Sequence, residues 1–260
     1  VPQLYEDRAR AESFGAKAER YDRLRPSYPP ALIAWLTADA PGTAIDVGCG
    51  TGRVAQLLVD AGWQVQGVEP DERMASVARA WGIPVAVAHF EDWRPTVAAV
   101  DLVSSGQAWH WVEPEAGYRK AAEVLRPGGR FAAFWNLYRY DAPIAAAVAE
   151  VYHRHAPELL VDSVPLGTAV SFHDLEDHRS IDASGLFRET GVRRFEHQRQ
   201  QRVTDWLDEL TTHAMHSRVD PSLLATLMAE LSQALGTLTD GTLTVRYETS
   251  VVTGVRAASA

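Results

Sequence analysis

Ala44-Ile45-Asp46-Val47-Gly48-Cys49-Gly50-Thr51-Gly52 joins a strand-like run to three glycines at alternate positions. Thr43–Val47 is a short β-rich run, glycines follow at alternate positions, and apolar periodicity predicts a helix over Arg53–Ala61. Glycines in such a turn admit positive φ and let the backbone approach a ligand. The helix start that follows offers unpaired N–H groups to an anion. A dinucleotide-binding loop needs G-x-G-x-x-G, and counting from Gly48 its third glycine would fall on Arg53. The spacing here is G-x-G-x-G with Asp46 ahead of it on the strand, which disfavours NAD(P).

Working outward, the same alternation continues. Strands are predicted at Gln64–Val68, Val85–Ala88, Asp101–Ser105 and Arg130–Trp135, with helices at Asp71–Trp81 and Glu113–Leu125 between them. Strands alternating with helices at this spacing indicate a doubly wound α/β fold with a mostly parallel sheet. After Asn136 the rhythm breaks. A helix is expected over Asp141–His155, strands six and seven at Val192–Arg199 and Leu243–Val252, and two helices between them near 204–216 and 221–235. Ahead of the core, Tyr5–Leu24 reads as a charged helix, and Arg25-Pro26-Ser27-Tyr28-Pro29-Pro30 must leave it. The chain therefore reads as one domain over 1–260. Residues 1–40 form an N-terminal helical lid segment, 41–138 the ligand-binding core, and 139–260 a C-terminal half with helical insertions on the substrate side.

Composition narrows the function. A net charge of −9 repels a phosphate backbone, so nucleic acid is not an expected partner. The single cysteine, Cys49, excludes a disulfide framework and a multi-cysteine zinc site. No stretch approaches the ~18–20 apolar residues of a membrane helix, and no secretory pattern opens the chain, so the cytoplasm is the expected compartment. His173, Asp174, Asp177 and His178, and the pair His153 and His155, have metal-like spacing but sit in weakly patterned segments. No metal is expected.

The glycine loop resembles motif I of the class I, Rossmann-like S-adenosylmethionine (SAM) methyltransferases, whose sheet has seven strands. Glu69 lies 23 positions after Asp46 at the end of strand two, where a carboxylate can take a ribose diol. Further stretches fall in the order of one subgroup, the trans-aconitate methyltransferase-like enzymes. They are Arg25-Pro26-Ser27-Tyr28-Pro29, Gly67-Val68-Glu69-Pro70, Gln107-Ala108-Trp109-His110-Trp111 and Leu125-Arg126-Pro127-Gly128-Gly129. The likeness is close over about 12–138 and only in outline beyond.

The resemblance implies SAM as cofactor and methyl transfer by in-line displacement. The acidic charge, the aromatic residues and the helical lid favour a small-molecule acceptor, with oxygen the first choice of atom and nitrogen and carbon open. The resemblance places the loop Gly48, Cys49, Gly50 and Gly52 at the methionine tail, Asp46 near its ammonium, and Arg25 with Tyr28 at its carboxylate. Glu69 and Pro70 would lie at the ribose, and Met74 would pack on adenine or in plain core. Phe90 and Glu91 would flank the adenine, and Gln107 completes the cofactor set. Read by its own chemistry, Cys49 is a small apolar filler and not a nucleophile. Phe14, Tyr21, Trp109, His110, Trp111 and Trp135 are the candidate acceptor-pocket residues. His110 is either a general base or an imidazole that only holds the cofactor loop. The N-terminal segment is expected to close over the bound cofactor. Two other classes remain open at this point: a non-catalytic SAM-binding regulatory protein, and an NAD(P)-dependent oxidoreductase.

Overall fold

The computed structural model describes residues 4–7, 18–38, 41–95, 99–160, 179–216 and 219–258. Its centre is a seven-stranded sheet in the order β3-β2-β1-β4-β5-β7-β6. The strands are β1 (Thr43–Val47), β2 (Gln64–Glu69), β3 (Val85–Val87), β4 (Val100–Gly106), β5 (Leu125–Arg139), β6 (Phe187–Arg202) and β7 (Thr242–Arg256). Neighbours from β3 through to β5 pair in parallel, and β7 runs antiparallel to both β5 and β6. The expected Rossmann-like, mostly parallel sheet is what forms. From β1 the chain winds out to β2 and β3, then returns to β4 on β1's other side. That reversal opens a crevice at the carboxyl ends of β1 and β4, the place where such sheets bind ligands.

Eight helices are used below: α1 (Ala18–Leu24), α2 (Pro30–Leu36), α3 (Arg53–Asp60), α4 (Glu72–Ala80), α5 (Pro114–Val124), α6 (Ala142–His155), α7 (Val203–Leu210) and α8 (Pro221–Gly236). Asp71 caps α4 by accepting the Arg73 amide at 2.9 Å, and Glu113 caps α5 through the Glu115 and Ala116 amides. The β1 side chains alternate between two cores, as a strand covered on both faces requires. Ile45 and Val47 join Val103, Trp109 and Phe131 in one, while Ala44 joins Leu32, Leu58, Leu102 and Phe134 in the other. A third core lies beyond the carboxyl ends of the parallel strands. There Tyr138 and Tyr247 meet Val148, Trp206, Leu227 and Leu231 from α6, α7 and α8.

Three expectations are corrected. β5 is 15 residues long and β6 and β7 are 16 and 15, far beyond their apolar centres. β7 pairs with β6 from end to end and with β5 over 246–255, and β6 is an edge strand whose outward Arg and Gln residues hide its extent from a hydropathy reading. The N-terminal helix is described only over Ala18–Leu24, preceded by a 3₁₀ turn at Leu4–Glu6. The late helix near 204–216 is α7 followed by a separate 3₁₀ turn, Ala214–His216. Phe14 and the His173–His178 cluster lie outside the described residues. Among the described residues, no helix is long and apolar enough to cross a membrane, and no group of three metal-ligating side chains converges.

Candidate active site

The glycine turn is tight because several forces fix it. Gly48 and Cys49 both donate to the Val68 carbonyl, at 2.8 and 3.2 Å, which pins the turn to the end of β2. Gly48 has φ +60, and a Cβ placed there would lie 2.4 Å from the Ala108 Cβ. Glu69 reaches across from β2 and accepts the Gly50 amide on Oε2 at 2.9 Å and the Asp71 amide on Oε1 at 3.0 Å. Each carboxylate oxygen has capacity for a second hydrogen bond.

Beside the turn is a cavity lined by Arg25, Pro26, Tyr28, Asp46, Gly48, Cys49, Gly50, Thr51, Arg53, Val54, Gly106, Gln107 and Asn136. Asp46 is 1% exposed. Its Oδ1 accepts from the Ser104 hydroxyl at 2.9 Å, while Oδ2 has no hydrogen-bond partner. Burial pushes this carboxyl up to about 7; Glu69 adds to the rise, and the Ser104 hydroxyl and Ala55 amide oppose it. Cys49 is buried, and its thiol is raised by desolvation first and then by Asp46 and Glu69, which fits a filler. Gln107 holds φ +60, a strained conformation for a non-glycine residue, stabilised by donation from its amide to the Phe134 carbonyl at 2.8 Å.

The N-terminal segment forms one wall through contacts of its own. Thr51 donates to Asp22 at 2.8 Å, Arg53 donates to the Asp22 and Arg25 carbonyls, and Asn136 donates to the Ser27 carbonyl at 3.3 Å. On the lid side, Arg20 pairs with Asp208 at 2.9 Å and Arg25 donates to the Thr212 carbonyl at 3.2 Å. Arg25 is thus anchored on the protein as well as facing the cavity. Tyr21 lies on α1.

Other candidates take different positions. Gly52, Glu69, Pro70, Met74, Phe90 and Glu91 do not line this cavity. Met74 is buried with its Cε close to Gly50, under the loop. Phe90 is core, packed on Trp93 and Trp109. Glu91 accepts the Glu113 amide at 2.8 Å, which ties its loop to the start of α5.

Trp109 and Trp135 are corrections to the acceptor pocket. Trp109 is 1% exposed and packs against Phe131, Tyr118 and Phe90, so it belongs to the core. Trp135 is equally buried, and its indole N–H donates to His110 Nδ1 at 3.0 Å. That bond occupies the Nδ1 lone pair and leaves the neutral ring's proton on Nε2, so His110 is built to be oriented and not to accept a proton. Trp111 is half-buried against the His110 ring. We expect Trp109→Ala to cost ~3–5 kcal/mol of stability, the range for emptying a buried aromatic site. Trp109→Phe should keep ligand affinity within about twofold, since only core is touched. Denaturant melts with calorimetry check both; weakened binding in a stable Trp109→Phe protein would return Trp109 to the pocket.

Sequence reasoning missed a buried polar group under the lid. Tyr138 on β5 donates to Glu209 Oε1 at 3.2 Å, and His213 Nε2 lies 3.3 Å from the same hydroxyl. Gln201 donates to the other Glu209 oxygen at 3.4 Å. Glu209 and His213 are 1% and 7% exposed. Burial, and then the Arg25 charge, lower His213 to about 4, so its ring is neutral near pH 7. It went unseen because its members come from β5, β6, α7 and the turn after α7, with no shared motif. Asn136 and Arg53 were also missed; a polar residue closing the apolar run Phe131–Trp135 was the signal for the first.

The cavity fits a zwitterion. It offers an unpartnered buried carboxylate oxygen to an ammonium, a guanidinium to a carboxylate, and a glycine turn that lets both approach. Residues 45–133 match the methyltransferase domain family. The chain carries a methyltransferase domain over these residues. An uncharacterized methyltransferase of Mycobacterium tuberculosis is 42% identical to the domain over 127 residues, covering 48% of this chain and 52% of that one. A trans-aconitate 2-methyltransferase of Acidovorax ebreus is 36% identical over 113 residues, 42% of this chain and 43% of its own. The chain thus aligns with about half the length of these curated relatives. The methyltransferase fold extends further. A solved structure from Anaeromyxobacter dehalogenans, described as a type II methyltransferase, aligns over 90% of this chain and 99% of its own. It has a TM-score of 0.68 and 28% identity.

Proposed function

We propose that this chain transfers a methyl group from SAM to an oxygen atom of a small-molecule acceptor. The observation that carries the reading is Asp46 Oδ2, a buried carboxylate oxygen without a hydrogen-bond partner, in the cavity that Arg25 and the glycine turn also line. SAM supplies a methyl group on a sulfonium, an electrophile with a good leaving group, so holding donor and acceptor in line can supply most of the acceleration.

In this reading Asp46 receives the ammonium, Arg25 and Tyr28 the carboxylate, and Glu69 the ribose hydroxyls. Gln107 and Asn136 close the cavity from the ends of β4 and β5, toward the lid. The acceptor enters on that side, under α7 and the polar group of Tyr138, Glu209 and His213. On that side Tyr138, Glu209 and His213 form a buried polar wall, and placement of donor against acceptor carries the transfer. The chain's acidic charge and the helical cover favour a compact acceptor over nucleic acid.

The test is transfer of a labelled methyl group from SAM to a panel of small alcohols, phenols, carboxylic acids and amines. Products methylated at oxygen support the reading, and products only at nitrogen or carbon contradict it. Tight SAM binding with no transfer to any acceptor would favour a non-catalytic SAM-binding protein.

A further inference from the structure

We propose that the cavity binds its cofactor with loss of one proton, from Asp46, so that cofactor affinity is governed by pH. This rests on the cofactor reading above and concerns how that same site is regulated.

The geometry begins with the strand. Asp46 pairs in register with Gly67 of β2 and Ser104 of β4, so it sits in the middle of the sheet with its side chain directed to the cavity. A carboxylate there loses almost all hydration, and what replaces it is a hydroxyl bond from Ser104 on Oδ1 and the Ala55 amide. Among the described residues, the groups that act on it include no cation. From β2, Glu69 faces it with a like charge; from the glycine turn comes the Cys49 thiol; from the start of α3 comes the Ala55 amide. Arg53 lines the same cavity but is committed to Asp22, at 3.7 Å, and to the Asp22 and Arg25 carbonyls. Arg25, from the N-terminal segment, is directed to the Thr212 carbonyl across the cavity, and Tyr28 stands beside Gly106. Two carboxyl groups flanking one glycine turn favour holding a proton on one of them.

Two backbone amides donate to Glu69. Asp46 is the one that holds the proton, with a carboxyl raised to about 7. An ammonium arriving at Oδ2 reverses the balance. It favours the ionised carboxylate, the proton leaves for solvent, and a charge-assisted bond takes its place. The sign follows from linkage. The free site binds more protons than the loaded one below about pH 7, so affinity rises with pH through that range and levels off above it.

The experiment is calorimetric titration of the full chain with S-adenosylhomocysteine at pH 6, 7 and 8. Each titration is run in phosphate and in Tris, whose ionisation enthalpies differ. We expect release of about nine-tenths of a proton at pH 6, about half at pH 7 and about a tenth at pH 8. The Kd should fall about fivefold from pH 6 to pH 7 and about twofold from pH 7 to pH 8. Asp46→Asn should bind without proton release, with a flat pH profile and weaker than the natural chain at pH 8. Should that variant fail to fold, carboxyl ¹³C NMR of the natural chain provides the same check. A carboxyl titrating near 7 in the free protein should be fully ionised in the complex. Binding without proton release at pH 6, or release undiminished in Asp46→Asn, overturns the coupling and leaves the cofactor reading standing. No binding at any pH overturns the cofactor reading and the coupling with it.

Discussion

In the Gly48→Ala variant, affinity for S-adenosylhomocysteine falls by about 100-fold or more while the protein remains folded. Gly48 has φ +60, which alone disfavours any side chain. The added methyl would also stand 2.4 Å from the Ala108 Cβ, so the turn must move by roughly 1 Å to restore van der Waals contact. A displacement of that size at a binding turn costs on the order of 100-fold. Gly82 separates the two causes. It too has positive φ, +84, but nothing lies within 4 Å of its would-be Cβ. Gly82→Ala should therefore lose ~1 kcal/mol of stability from backbone strain and bind the ligand normally. Calorimetry and thermal melts on the pair decide it. Equal affinities in the two variants would show that the Gly48 turn does not touch the ligand.

Glu69→Ala should weaken S-adenosylhomocysteine binding by ~1.5–3 kcal/mol, the range for hydrogen bonds to a charged group. The structure adds a second expected effect. The Gly50 and Asp71 amides lose their acceptor together, and each amide left without a partner in this setting costs ~1–3 kcal/mol of stability. Glu69→Gln retains one acceptor oxygen but places its NH2 against the other amide, so it should fall between. Affinity that survives while stability drops would make Glu69 an anchor of the glycine turn and nothing more.

How much of this was legible in the chain depends on how local each signal is. The glycine turn with Asp46, Gly48 and Gly50 and the parallel half of the sheet lie in contiguous patterns that local spacing sets, while Arg25 and Gln107 are reached only through the family resemblance. Trp109 and Trp135 could not be placed correctly, because whether an aromatic residue walls a pocket or fills a core is decided by partners such as Phe131 and Tyr118. His110 misled for a similar reason. Its one decisive neighbour, the Trp135 indole, lies 25 residues away. The polar group of Tyr138, Glu209 and His213 was out of reach, since the Tyr138–Glu209 and Tyr138–His213 contacts span 71 and 75 residues. The extent of β6 was hidden by its own chemistry, as arginines and glutamines on an edge strand read as loop.

The central claim is that the cavity beside the glycine turn holds the amino-acid end of SAM. A crystal structure with S-adenosylhomocysteine tests it most directly. The ligand's ammonium should lie within hydrogen-bond distance of Asp46 Oδ2, its carboxylate at Arg25 and its ribose at Glu69. The sulfur should face Gln107 and Asn136 beneath the lid. A ligand bound with its amino-acid end away from both Asp46 and Arg25 would contradict it.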